Sequence, residues 1–336
     1  MVKERFSIIL PLRNGGEYVK QCVNSILSQT ISDFDFLILD NCSTDGSVEW
    51  IKSINDSRIK LFPSSHSLTI EENWVRIKDI PKNEFITLIG HDDLLHPNYL
   101  KTMDALINKH PDASLYQTHF GFINADGEAI RKCLPMDEVQ TGSEFLSTIL
   151  SNTIDIMGTG FMMRAKDYDS VGGIPDYPNL LFADFALWMQ LTNKNYKATS
   201  FEECFSFRRH LSATTLSPDV KMQQAFSLFI DYLENLKTTD AKCADAIQRY
   251  SLNFIRRNCK GLAHRLLRTS KSKRENLSVA SFLNDCKKYA DRLKPNNNYN
   301  PVSDYSVKLA SQIDSNIFTR GLFLAFKKIY SKPILD

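Results

Sequence analysis

Two groups of carboxylates about fifty residues apart each close a short apolar run. Phe36–Leu39 lead into Asp40 and the polar turn that follows it, and Phe85–Ile89 lead through Gly90 and His91 into Asp92 and Asp93. Short apolar runs bounded by turn residues predict buried strands of a parallel sheet. Such a sheet takes ligands in the crevice at the carboxyl ends of its strands, where both groups fall. Hard oxygen donors in that place suit a nucleotide and a divalent metal.

Elements to position these acids can be read on either side of them. Ser7–Leu12 predicts a first strand, followed by a turn at Asn14-Gly15-Gly16 and a helix with Tyr18, Val19, Cys22, Val23, Ile26 and Leu27 at helical spacing. Phe34–Leu39 is the second strand, and Ser43 is a candidate cap for a helix whose apolar face is Val48, Ile51 and Ile54. Ile59–Phe62, Trp74–Ile80 and Phe85–Ile89 continue as strand, helix and strand. Repeated βαβ units of this kind form a parallel sheet. Residues 1–97 are therefore expected to form a nucleotide-binding half.

Residues 98–216 change character, with a helix over Tyr99–His110, a strand within Ala113–Ile123 and a turn at Asn124–Gly127. Gly158 and Gly160 then precede the apolar run Phe161–Met163, a loop covers Val171–Pro178, and Phe182–Leu191 reads as a helix before a last segment, Ala198–His210. Residues 217–336 carry only helical periodicity, interrupted at Pro295–Pro301. The expected class is α/β with a helical C-terminal extension.

With 43% apolar and 24% charged residues, the 336-residue chain has ordinary globular composition. Its seven cysteines are scattered and lack CxxC spacing, which speaks against a zinc site or disulfide framework and fits a reducing cytoplasm. No stretch reaches the roughly 18 apolar residues of a membrane span, and the N-terminal run is too short for a signal peptide. Charge is uneven: residues 240–336 hold 19 Lys and Arg against 8 Asp and Glu, a surplus of 11 in a chain whose net charge is +2. One end is thus expected to face an anionic surface.

Five segments, in order, resemble the family-2 glycosyltransferases, inverting nucleotide-sugar enzymes of the GT-A fold; the resemblance covers roughly residues 5–215. Ser7–Asn14 is similar to the first nucleotide-binding element and places Pro11 and Arg13 at the base, where a guanidinium plane can stack. Leu39–Ser47 resembles the second, in which the first Asp, here Asp40, accepts the imide N–H of uracil or thymine and so implies UDP or, second, dTDP. Asn41 stands where a second Asp is common, and Asp45 reads as a turn and helix-start residue. Glu71-Glu72-Asn73-Trp74 resembles a helix start facing the nucleotide, with Asn73 as a contact.

Gly90-His91-Asp92-Asp93 stands in the place of the DxD motif. Gly90 replaces its first acid, Asp92 is the implied ligand of Mg2+ or Mn2+, and Asp93 is implied to contact ribose or to hold the loop. Gly158–Arg164 with Phe182–Trp188 resembles the acceptor wall and the helix of the catalytic base. There Ala183 replaces a Glu, leaving Asp184 as the implied base and Gly160 and Trp188 on the acceptor side. Phe207–Ser212 resembles a segment reaching back to the diphosphate, with Arg209 to neutralise it and His210 to complete the metal shell.

The implied reaction moves a sugar from a UDP-sugar to a saccharide hydroxyl, in surface polysaccharide, capsule or lipopolysaccharide assembly. A sugar nucleotidyltransferase would carry a Gly-rich loop with Arg and Lys after the first strand, and only Asn14-Gly15-Gly16 is present. A non-catalytic nucleotide- or sugar-binding module is the other alternative, since Gly90 and Ala183 each remove an acid. Nucleic-acid binding lacks any motif. In the tail, Ile317, Leu322, Phe323, Ala325, Phe326, Ile329 and Tyr330 with Arg320, Lys327, Lys328 and Lys332 form a basic amphipathic pattern. It predicts either peripheral docking on the inner membrane face, where acceptors are lipid-linked, or an oligomer contact through Phe318, Leu322 and Phe326.

Overall fold

The computed structural model describes residues 5–210 and 216–330. It contains ten strands: β1 (Phe6–Leu12), β2 (Phe34–Asp40), β3 (Ile59–Leu61), β4 (Phe85–Leu88), β5 (Leu94–Leu95), β6 (Leu115–Ile123), β7 (Ala129–Lys132), β8 (Val139–Thr141), β9 (Phe161–Arg164) and β10 (Tyr196–Arg208). Helices α1 (Gly16–Leu27), α2 (Ser47–Ser53), α3 (Ile70–Val75), α4 (Tyr99–Lys109), α5 (Gly142–Ser151), α6 (Ala165–Ser170) and α7 (Ala183–Thr192) are interspersed. Five more follow: α8 (Asp219–Thr239), α9 (Ala241–Arg268), α10 (Val279–Leu293), α11 (Tyr305–Ser315) and α12 (Ile317–Tyr330).

All strands join one sheet of order β3-β2-β1-β4-β9-β6-β10-β5, with β7 on β6 and β8 on β10. β1, β2, β3 and β4 are mutually parallel, and every residue of β1 and β2 is buried. Covering on both faces is why these strands read as unbroken apolar runs rather than alternating ones. From β1 the chain steps to β2 on one side and returns to β4 on the other, which makes the carboxyl end of β1 a switch point of the sheet. β9 lies antiparallel between β4 and β6 and welds the two expected halves into one sheet.

Local chemistry moves three boundaries from their expected places. Ser43 does not cap α2; its Oγ accepts the Asn14 N–H, and Gly46, in the left-handed region at φ 85°, precedes the helix. Asp45 takes the turn role instead, accepting the N–H groups of Gly16 and Ser47. The helix expected over Trp74–Ile80 begins at Ile70, because Thr69 and Glu72 form a capping box, and it tightens to a 3₁₀ turn over Arg76–Lys78. Helix α5 lies in a stretch to which the sequence assigned no element.

The chain separates into two compact units. One comprises residues 5–145, 153–176 and 183–210, and the other residues 146–152, 177–182 and 216–330. The second is helical as expected, but it recruits two short segments from within the first two hundred residues. Its core packs Phe182 against Phe226, Phe229 and Phe254, with ring centroids 5.5–6.3 Å apart. Asp240 caps α9, and Ser278 and Ser281 form the capping box of α10. Phe226, Phe254 and Phe282 are buried, and full burial of such a ring stabilises by roughly 2–3 kcal/mol. No helix among the described residues is long and apolar enough to cross a membrane.

Candidate active site

Because Leu12 is in register with Asp40, the ends of β1 and β2 present Arg13 and Asp40 side by side. Ser43 N–H donates to Asp40 Oδ1 at 3.2 Å, which orients a carboxylate only 5% exposed. Arg13 is exposed and donates to the Leu68 carbonyl at 2.9 Å. Asn41 grips the same peptide from the other side: Nδ2 donates to Leu68 O and Oδ1 accepts Leu68 N–H, at 2.9 and 2.7 Å. An aspartate could not donate, so this grip explains an amide at position 41. Pro11 is buried in β1 opposite Leu39.

The loop after β4 is held by the end of β10. Arg208, 2% exposed, donates its backbone N–H to Asp93 Oδ1 and its Nε to the Asp92 carbonyl. Its Nη1 reaches the carbonyls of Asn124 and Ala125, its Nη2 reaches Gln21 Oε1 at 2.6 Å, and its plane lies 4.7 Å from the Tyr18 ring. Two residues on, His210 Nε2 meets Asp92 Oδ2 at 2.6 Å and its ring packs on Tyr18. Burial, with a smaller contribution from His210, holds the His91 imidazole below its ordinary pKa. Asp93 also accepts the Thr159 hydroxyl at 2.7 Å, and burial followed by the Asp92 charge pushes its pKa well up. A Cβ at Gly90 would stand 2.7 Å from Asp92 Oδ1, so the missing first acid leaves room that the second occupies.

Asp184 sits in the first turn of α7 against Gly158, where a Cβ would come within 3.4 Å of its Oδ2. Burial raises its carboxyl to about 6, against the opposing pull of the Phe185 N–H. Asp93 accepts the Thr159 hydroxyl, and the adjoining Gly158 lies against the Asp184 carboxyl.

Residues 7–172 match the family model described as glycosyl transferase family 2. The chain is 23% identical over 265 residues to the putative teichuronic acid biosynthesis glycosyltransferase TuaG of Bacillus subtilis, covering 76% of this chain and 98% of that protein. It is 23% identical over 128 residues to the glycosyltransferase GlyG of Streptococcus pneumoniae, covering 38% of this chain and 42% of GlyG. The match thus spans less than half of GlyG. A crystal structure of Staphylococcus aureus TarS 1–349 in complex with UDP-GlcNAc superposes with a TM-score of 0.65 at 16% identity, covering 98% of this chain and 93% of that one. The chain carries a glycosyl transferase family 2 domain over residues 7–172. Its fold is GT-A, as the resemblance implied.

Within this glycosyltransferase the structure corrects several expected contacts. Trp188 is fully buried, donating Nε1–H to the Met157 carbonyl and stacking on Phe161 at 4.4 Å, so it packs the core rather than lining an acceptor. Gly160 is also interior, with φ +79° and the Phe205 ring 2.9 Å from where a Cβ would stand. Asn73, 4% exposed, donates to Leu39 O and accepts from Arg76, which ties α3 to β2 instead of facing a ligand. Asp93 is 2% exposed with both oxygens engaged, so it holds the loop rather than meeting ribose. Arg209 is exposed just past the end of β10, and its charge acts on Asp155. Leu211 and Ser212, the end of the segment expected to reach back to the diphosphate, lie outside the described residues.

Three residues escaped sequence reasoning: Arg208, Tyr18 and Arg76. Arg76 donates to the main-chain carbonyls of Asp40 and Phe62 and so holds the end of β2.

Among the described residues no three His, Cys, Asp or Glu side chains converge as a metal cage. Asp92 and His210, hydrogen-bonded to each other at 2.6 Å, are the residues there that could donate to a metal. That pair fits a hard divalent cation whose other positions come from phosphate and water, the usual manner for Mg2+.

Proposed function

We propose that the chain is an inverting transferase that moves one sugar from a UDP-sugar, or second a dTDP-sugar, onto a hydroxyl of a saccharide in surface-polysaccharide assembly. Asp40, with one oxygen fixed by Ser43, accepts the pyrimidine imide, and Arg13 lies over the base. Asp92 and His210 would hold Mg2+ or Mn2+, which when bound neutralises charge on the departing diphosphate. Asp184 takes the acceptor proton as the hydroxyl oxygen attacks the anomeric carbon opposite the leaving group.

One observation carries this reading. Thr159 donates to Asp93 in the acidic loop, and its neighbour Gly158 lies against the Asp184 carboxyl, so one short segment runs from the loop to the base. A carboxyl held near 6 is ionised at neutral pH yet more basic than a free one, as a general base requires. UDP bound to TarS, and the teichuronic acid named for TuaG, agree with the nucleotide and with a surface polymer.

The test is a UDP-release assay over a donor panel with Mn2+ or EDTA, using wild type and Asp184→Asn, with the product anomer read by NMR. Metal-dependent turnover of one UDP-sugar with inversion, lost in the variant while UDP still binds, is the expected outcome. Retention of configuration, or undiminished turnover by Asp184→Asn, refutes it.

A further inference from the structure

Helix α12 is inside out. Its arginine, Arg320, points inward at 7% exposure, donates to the Thr269 carbonyl and pairs with Asp314 at 3.3 Å. Phe323 and Leu324 are half-buried beside it, while Phe318, Leu322, Phe326, Ile329 and Tyr330 point outward, each 54–80% exposed. At 100° per residue these five, with Ala325, fall in an arc of roughly 140° that holds one polar residue, Thr319. Scattered exposed apolar residues are ordinary, but a helix that buries its arginine and exposes an apolar face has been oriented for something outside the fold.

From this face we infer that α12 docks the protein on an anionic lipid bilayer by lying in the interface plane. The inference rests on the helix and its charge and is independent of the transfer chemistry proposed above. Lys327 and Lys328 lie in the last turn, and Lys328 is exposed beside the apolar arc. The surplus of 11 cations over residues 240–336 complements acidic headgroups. The same surplus disfavours a second copy as occupant, because symmetric pairing through this face would bring two strongly basic regions together. Fourteen residues make a rod of about 21 Å that can immerse its aromatic and aliphatic side in the headgroup boundary. Lys332, part of the pattern in the sequence, lies outside the described residues.

The experiment is flotation of the full chain with phosphatidylcholine vesicles, with and without phosphatidylglycerol. It compares wild type, the double variant Leu322→Glu/Phe326→Glu, and the double variant Lys327→Gln/Lys328→Gln. Wild type is expected to float with the acidic vesicles and far less with neutral ones. The glutamate pair should lower partitioning by at least about tenfold, and the lysine pair by about fivefold per charge. Leu322, Phe326 and Lys328 are exposed and Lys327 is half-buried over Phe323, so matched thermal unfolding checks that both variants fold; the lysine pair alone decides if the glutamate pair does not fold. Wild type that ignores acidic vesicles, or variants that bind them equally well, overturns the inference. So does a wild-type dimer in light scattering that the glutamate pair dissociates while no form binds lipid.

Discussion

Replacing Asp184 by Asn should raise stability while removing activity, and the two effects come from the same burial. The folded carboxyl ionises at about 6 instead of 3.8, so at pH 7 the fold bears the cost of a desolvated charge. A difference of about two pH units corresponds to at most about 3 kcal/mol. The carboxyl retains some solvent access, and the Phe185 N–H compensates part of it, so a gain of about 1–2 kcal/mol is expected. The sign follows from proton counting. Between the unfolded and folded values the folded state binds more protons, so stability falls as pH rises through that window and the full cost applies above about 6. Asn keeps an acceptor for the N–H and carries no charge, so the variant should lose this slope. The assay is thermal unfolding at pH 4 and pH 7 beside turnover at each pH. The variant should melt higher only at pH 7, by about 2–4 °C per kcal/mol. Turnover should drop by about 10²–10⁴, and wild-type kcat/KM should fall below pH 6 with unit slope. A variant that melts no higher at pH 7 than wild type refutes the burial reasoning.

Arg208→Met, which strips the donors from Asp92, Asn124, Ala125 and Gln21, should cost about 3–5 kcal/mol in urea unfolding. Arg209→Ala should stay within about 0.5 kcal/mol. Lys197 is fully buried, bonded to Gln140 and Thr199, and desolvation lowers it to about 7. The unfolded chain holds that proton up to about 10.5, so wild-type stability should rise with pH between these values while Lys197→Met stays flat through the same range, as thermal melts would show. Gly90→Asp rebuilds the sequence of a two-acid motif but places a Cβ 2.7 Å from Asp92 Oδ1. It should therefore displace Asp92 from His210 and lower turnover in the UDP-release assay.

The parts of the fold that follow from local chemistry were legible in the sequence. The apolar runs of β1, β2 and β4 reported their burial on both faces directly, and the acids fell at strand ends because polar residues there meet the crevice. What stayed hidden depends on partners distant along the chain. Asn73 and Asp93 looked like ligand contacts because their type suits a nucleotide, yet Asn73 donates to Leu39 O and Asp93 accepts from Thr159 and Arg208, partners tens of residues away. Trp188 fell by the same logic, since only the Met157 carbonyl explains a buried indole N–H. Arg208 and Arg209 are identical as letters, and only the direction of β10 separates the hub from its solvent-facing neighbour.

The reach of Arg208 also dictates when this protein can become functional during its synthesis. Its partners stand 187, 116 and 84 positions earlier in the chain, at Gln21, Asp92 and Asn124. Contacts of such separation form late, after the loops between them have closed. A nascent chain that has emerged only as far as β4 carries both acidic groups but lacks the residue that arranges the second. The hydrogen bonds that hold the acidic loop are completed by the last strand of its unit to leave the ribosome, so shorter chains lack the Arg208 contacts to Asp92 and Asp93.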